Sequence, residues 1–160
     1  MKVDICSHRN AAALLSEQPK TYDVILIFNP GGRYDNEDYL TAIRQHANRI
    51  CELEFDDVEF PRDRHQMPEA RHVRSAVDFA ADKEQLVVTC TAGMSRSAAL
   101  AYVVACTKMD PVEAVKVLDP NRHTPNEKVV FLGYDFLGRP AEMLEAYARF
   151  KDEMSLRYRF

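Results

Sequence analysis

Apolar residues run unbroken through "VILIF" (Val24 to Phe28) and "LVV" (Leu86 to Val88), and small or turn-forming residues follow each run. Runs this short and continuous suit strands covered on both faces. Strands are therefore predicted over Asp23 to Phe28, closed by the turn "NPGG" (Asn29 to Gly32), and over Gln85 to Thr89. "CELEFDDVEF" (Cys51 to Phe60) starts by alternating, with Leu53 and Phe55 on one side, and reads as a half-buried strand with aspartates at its end.

Helical spacing occupies the intervals. The first helix is predicted over Asn10 to Gln18, with Asn10 as cap and Pro19 as stop, and a second, weakly periodic one over Asn36 to Ile50. Over Pro68 to Lys83 the pattern is stronger, because Ala70, Val73, Val77, Ala80 and Ala81 share a face and Pro68 suits a first helical position. After Thr89 only helices are predicted. Arg96 to Met109 is rich in small residues, Asp110-Pro111 and Thr124-Pro125 each open a helix with a cap and a proline, Gly138 closes the latter, and Arg139 to Met154 forms the last.

Strands alternating with helices, then helices alone, predict one α/β domain over residues 1–160. Its central, mostly parallel sheet is flanked by helices on both faces, and its C-terminal third is helical. The length suits one self-sufficient core, and 46% hydrophobic with 29% charged residues argues against disorder. A formal charge of −4 argues against a nucleic-acid binder. No segment approaches the about 18 apolar residues of a membrane span, and the first residues lack a signal-peptide core, so a cytoplasmic protein with no membrane partner is expected. Cys6, Cys51, Cys90 and Cys106 are widely spaced without a CxxC or Cys/His pattern. They are expected as free thiols, with no metal site and no cofactor, Cys106 in the core.

The chemistry concentrates in "LVVTCTAGMSRSAALAYVV" (Leu86 to Val104), where a strand meets Cys90, a loop of small residues, Arg96 and then a helix. A strand ending at Cys90 and a helix starting near Arg96 turn the N–H groups of Thr91, Ala92, Gly93, Met94, Ser95 and Arg96 into one concave space. That is an anion nest at the positive end of a helix. Ala92 and Gly93 keep it open, and Gly93 accepts a positive φ. Helix N-termini favour thiolate over thiol, which makes Cys90 the candidate nucleophile. The planar fork of Arg96 grips two phosphoryl oxygens at once. Ser97 places a hydroxyl where it stabilises Cys90 as a leaving group.

"CTAGMSRS" resembles the C-x-x-G-x-S-R-S loop of cysteine-based protein phosphatases, in particular the dual-specificity and related bacterial tyrosine phosphatases. "FDDVEFPR" (Phe55 to Arg62) is similar to their general-acid segment, and "NRHTPNEKVVFLGYDFLG" (Asn121 to Gly138) to the segment whose apolar helix packs under the loop. The resemblance spans Leu53 to Gly138 and implies a dual-specificity phosphatase-like fold. It also implies phosphate-monoester hydrolysis through a phosphocysteine, with no cofactor. On this resemblance Asp57 is the general acid, ahead of Asp56, which should point to the opposite side, and Asp63. Asn126 would brace the phosphate loop by bonding its backbone. His65 and His123 are expected at the surface.

The family usually has histidine where this chain has Thr89, a residue that orders the loop and promotes the thiolate. Low-molecular-weight tyrosine phosphatases have the same loop without that histidine, and a threonine hydroxyl can bond loop carbonyls. An active phosphatase is therefore expected; the alternative is a pseudophosphatase that binds phosphate or phosphoprotein with little turnover. Arsenate reduction and sulfur transfer fit less well, lacking recruited cysteines and a shorter loop. Without extra lysine or arginine in the loop, a phosphorylated protein or small phosphomonoester bearing a single dianion is expected as substrate, and inorganic phosphate or another oxyanion as ligand. Arg62, Arg64, Arg71 and Arg74 are candidates for a basic rim, or ordinary solvated charges.

Overall fold

In the computed structural model, which describes residues 1–156, the chain runs β1 (Lys2–Ser7), α1 (His8–Glu17), β2 (Val24–Phe28), α2 (Glu37–His46), β3 (Ile50–Glu54), α3 (Ala70–Ala80), β4 (Gln85–Cys90), α4 (Arg96–Cys106), α5 (Pro111–Ala114), α6 (Glu127–Phe136) and α7 (Ala141–Leu156). Short 3-10 turns cover Pro30–Gly32 and Val115–Val117. The four strands form one sheet in the order β1-β4-β2-β3, and every pairing is parallel. Parallel neighbours need crossovers, and α1, α2 and α3 supply them.

The unbroken apolar runs are explained by burial on both sides. Val24, Leu26 and Val87 pack with Ala11 and Leu15 of α1 and Leu40 and Ile43 of α2. The alternate positions Ile25, Ile27, Leu86 and Val88 face α3 and α4 in the larger core, where α6 and α7 add Val129, Val130, Met143 and Tyr147. Helix α4 is buried at every residue from Arg96 to Ala105, which is why its sequence is apolar all round rather than amphipathic. The Tyr102 hydroxyl, inside that core, donates to the Met143 carbonyl at 2.6 Å, satisfying itself and tying α7 to α4.

Several boundaries differ from the sequence reading for local reasons. Strand β1 was not predicted. It is an edge strand of half-buried residues, and "KVDICS" lacks the continuous apolar signal of β2. The helix expected from Asn10 starts at His8, because the Ser7 side chain already accepts the Asn10 N–H and caps it. Helix α2 stops at His46, since Ile50 is paired to Val24 in β3. Pro68 lies outside α3, whose cap is Glu69: the Glu69 side chain accepts the His72 N–H, and the Glu69 N–H donates to His72 Nδ1. Asn126, not Thr124, caps α6, accepting the Val129 N–H at 3.1 Å. Gly138, at φ 83°, follows the end of α6 as expected.

Candidate active site

Because all strands are parallel, their C-terminal ends meet at one edge of the sheet, where α/β proteins place their ligands. Cys90 ends β4 there and is 2% exposed. Its Sγ lies 3.1 Å from Ser97 Oγ in the first turn of α4. Between them the loop curls around its own backbone: among the described residues, no protein acceptor takes the N–H groups of Ala92 to Arg96. Gly93 has φ 69°, and a Cβ there would lie 2.4 Å from Ser7 N and 2.5 Å from Cys6 C. The loop thus rests directly on the backbone where β1 passes into α1.

Arg96 is 4% exposed and held on two sides. Nη1 donates to Asn29 Oδ1 and to the Phe55 carbonyl, both at 2.8 Å, and Nη2 donates to Thr91 Oγ1 at 3.0 Å. Nε is buried without a partner among the described residues. A buried guanidinium with an unused donor is expensive unless an acceptor meets it, and an oxyanion over the loop would do so.

Asp57 Oδ1 accepts the Ser95 hydroxyl at 2.7 Å and Asn126 Nδ2 at 3.0 Å. The segment after β3 is thereby tied to the loop and to the cap of α6. Asp56 turns away, its carboxylate accepting the Gln66 N–H at 2.6 Å; Asp63 lies in the exposed turn beyond. Among the described residues no cluster of three or more His, Cys, Asp or Glu side chains could hold a metal ion.

No protein-family model matches the sequence, and no curated protein is significantly similar to it. Solved structures are similar in fold. The structure of PTPMT1 in complex with PI(5)P matches with a TM-score of 0.53 at 15% identity, over 92% of this chain and 94% of that one. A further PTPMT1 structure matches with a TM-score of 0.50 at 17% identity, over 94% and 95%. The Yvh1 phosphatase domain from Chaetomium thermophilum matches at 0.51 and 21%, over 87% and 92%. The fold is that of the cysteine-based, dual-specificity-type phosphatases.

Within this phosphatase fold, two expected supports of the loop take another form. Thr89 is fully buried, and among the described residues its hydroxyl has no hydrogen-bond partner, so it does not bond loop carbonyls. Asn126 reaches the loop only through its backbone N–H, which donates to the Ser95 carbonyl at 3.2 Å. Its side chain instead holds Asp57 and, at 3.2 Å, the Val58 carbonyl. His123 is not at the surface: it is 4% exposed, with Nδ1 accepting the Asp119 N–H at 2.8 Å. His65 is exposed. Cys106 is half-buried at the far end of α4, about 15 Å along the helix from Arg96, and burial pushes its thiol up to about 11.

Three residues at the site carried no sequence signal. Asn29 and Asp35 follow β2, and His8 follows β1. Asn29 read as a turn residue, and Asp35 and His8 as nothing in particular. Of the arginines considered for a rim, Arg62 and Arg64 line a cleft of about 390 Å³ with Asn29, Arg33, Tyr34 and Asp57. Arg71 is paired with Glu69 on α3.

Proposed function

We propose that this chain hydrolyses phosphate monoesters through a phosphocysteine, as a tyrosine- or dual-specificity-type protein phosphatase. The observation that carries the reading is the convergence of Cys90, Ser97, the open N–H groups of the loop, Arg96 and Asp57 at one edge of the sheet. The Cys90 thiolate attacks phosphorus while the loop N–H groups and Arg96 bind the equatorial oxygens, whose charge they neutralise in the transition state. Asp57 delivers a proton to the departing oxygen. Both of its hydrogen bonds use Oδ1, which leaves Oδ2 for that oxygen. The leaving group then occupies the cleft that Asp57, Arg33 and Arg64 line. In the second step water attacks the phosphocysteine, the Asp57 carboxylate takes its proton, and the S–P bond breaks with the Ser97 hydroxyl supporting the emerging thiolate.

The experiment is hydrolysis of para-nitrophenyl phosphate with EDTA present, comparing wild type with Cys90→Ser and Asp57→Asn, with vanadate as competitor. Turnover abolished in Cys90→Ser supports the phosphocysteine route. A second reading, a phosphate- or phosphoprotein-binding pseudophosphatase, is favoured by the buried, unpartnered Thr89 hydroxyl, which leaves the site of the family's usual histidine without a hydrogen bond. No turnover, with vanadate still protecting Cys90 from alkylation, would select it.

A further inference from the structure

Position 89 does not brace the phosphate loop, yet Arg96 is firmly placed. Its two terminal nitrogens rest on Asn29 Oδ1 and Thr91 Oγ1, and both of those residues are held by the same carboxylate. Asp35, whose side chain is fully buried, accepts the Asn29 N–H on Oδ2 at 2.8 Å and the Thr91 hydroxyl on Oδ1 at 2.5 Å. The Thr91 hydroxyl has one hydrogen, and giving it to Asp35 turns its lone pairs toward Arg96 Nη2. The direction of that bond is thus set by Asp35.

His8 stands behind Asp35. It is buried, and its backbone N–H reaches the Thr91 carbonyl at 3.4 Å. Nε2 lies 2.8 Å from the Ile27 carbonyl, which can only accept, so Nε2 carries a hydrogen. Nδ1 then faces Asp35 Oδ1 at 3.6 Å, with no hydrogen-bond partner of its own among the described residues.

We propose that Asp35, backed by His8, is the positioning residue for Arg96: it orients Thr91 and Asn29, and takes over from another part of the fold the loop-ordering task that Thr89 does not perform. The assignment rests on the phosphate-site reading above. It also carries a pH dependence. Burial holds the His8 imidazole below its ordinary value; the hydrogen bond to the Ile27 carbonyl and then the Asp35 carboxylate oppose this, and Arg96 and Arg44 reinforce it. Once protonated in acid, Nδ1–H competes with the Thr91 hydroxyl for Oδ1, so oxyanion affinity falls on the acid side.

The test measures vanadate affinity, and kcat and KM for para-nitrophenyl phosphate, from about pH 5 to 8 in wild type, Asp35→Asn, His8→Gln, Thr91→Val and the Asp35→Asn/Thr91→Val double variant. Asp35→Asn should weaken vanadate binding and lower kcat by about 10- to 100-fold, as expected for a buried bond serving a charged group, and should cost less in the Thr91→Val background. Glutamine at position 8 keeps a donor for the Ile27 carbonyl and should flatten the acid-side fall in vanadate affinity. A folded Asp35→Asn protein with wild-type affinity and kcat, or strict additivity with Thr91→Val, overturns the proposal. If Asp35→Asn does not fold, His8→Gln decides: an acid-side fall identical to wild type overturns it. Wild type that neither hydrolyses nor binds vanadate overturns the phosphate-site reading and this assignment with it, whereas functional wild type with indifferent variants overturns this assignment alone.

Discussion

Under the proposed function, Asn126 serves stability and chemistry through different atoms. Oδ1 caps α6, while Nδ2 holds Asp57 and the Val58 carbonyl. Asn126→Asp keeps the cap acceptor but places a second carboxylate against Asp57. With the Nδ2 donor gone from a buried position, it should lower stability in urea denaturation by about 1–3 kcal/mol and lose turnover by about tenfold or more at neutral pH. Asn126→Ala removes both functions and should also cost about 1–2 kcal/mol of stability. For Asp57→Asn, the loss in kcat should be on the order of 10²–10⁴-fold for an alkyl phosphate and smaller for para-nitrophenyl phosphate, whose leaving group needs less protonation. Equal losses on both substrates would assign Asp57 to holding Ser95 rather than to acid catalysis.

Strand β1 and the β4–α4 loop behave as one unit. Pairing of Ser7 beside Cys90 brings the start of α1 under the loop, and only glycine at 93 leaves room for the Ser7 and Cys6 backbone. Gly93→Ala combines a left-handed φ with a backbone collision, so stability should fall by at least about 2 kcal/mol and vanadate binding should be lost in whatever fraction remains folded. Wild-type vanadate affinity in that variant would mean that the loop does not depend on β1. Helix α3 depends similarly on His72, whose Nδ1 must be unprotonated to accept the Glu69 N–H. Burial holds that imidazole below its ordinary value, in agreement with the acceptor role, and its ring packs on Phe55 at 4.7 Å. The capping box therefore stands next to the residue whose carbonyl anchors Arg96.

For the molecule as a whole, His8 and His72 make stability sensitive to acid. Both have folded values below the ordinary 6.5, so the unfolded chain binds protons that the native state refuses. Their contribution is complete above 6.5 and is lost as pH falls below it through the depressed folded values. Urea midpoints should drop between about pH 7.5 and pH 5, and His8→Gln/His72→Gln should flatten that drop. An unchanged slope would place the acid sensitivity elsewhere.

Much of this architecture was legible locally. Continuous apolar runs identified β2 and β4, a stretch rich in small residues marked α4, and Cys90, Gly93, Arg96 and Ser97 could be read together because one loop and one helix turn hold them all. Such features depend on neighbours in sequence, where spacing alone fixes which groups share a face or a turn. His8, Asn29 and Asp35 were not legible, and neither was the true work of Asn126. Each is an ordinary polar residue in a turn or at a helix end, and its bonds run far along the chain: Asp35 to Thr91, Asn29 to Arg96 and Asn126 to Asp57, 56, 67 and 69 positions away. What gathers them is the order β1-β4-β2-β3: with β4 between β1 and β2, the chain leaving each parallel strand arrives at the same edge as Cys90. That order follows from packing two layers of helices on the sheet, a property of the folded chain that no short stretch of it contains.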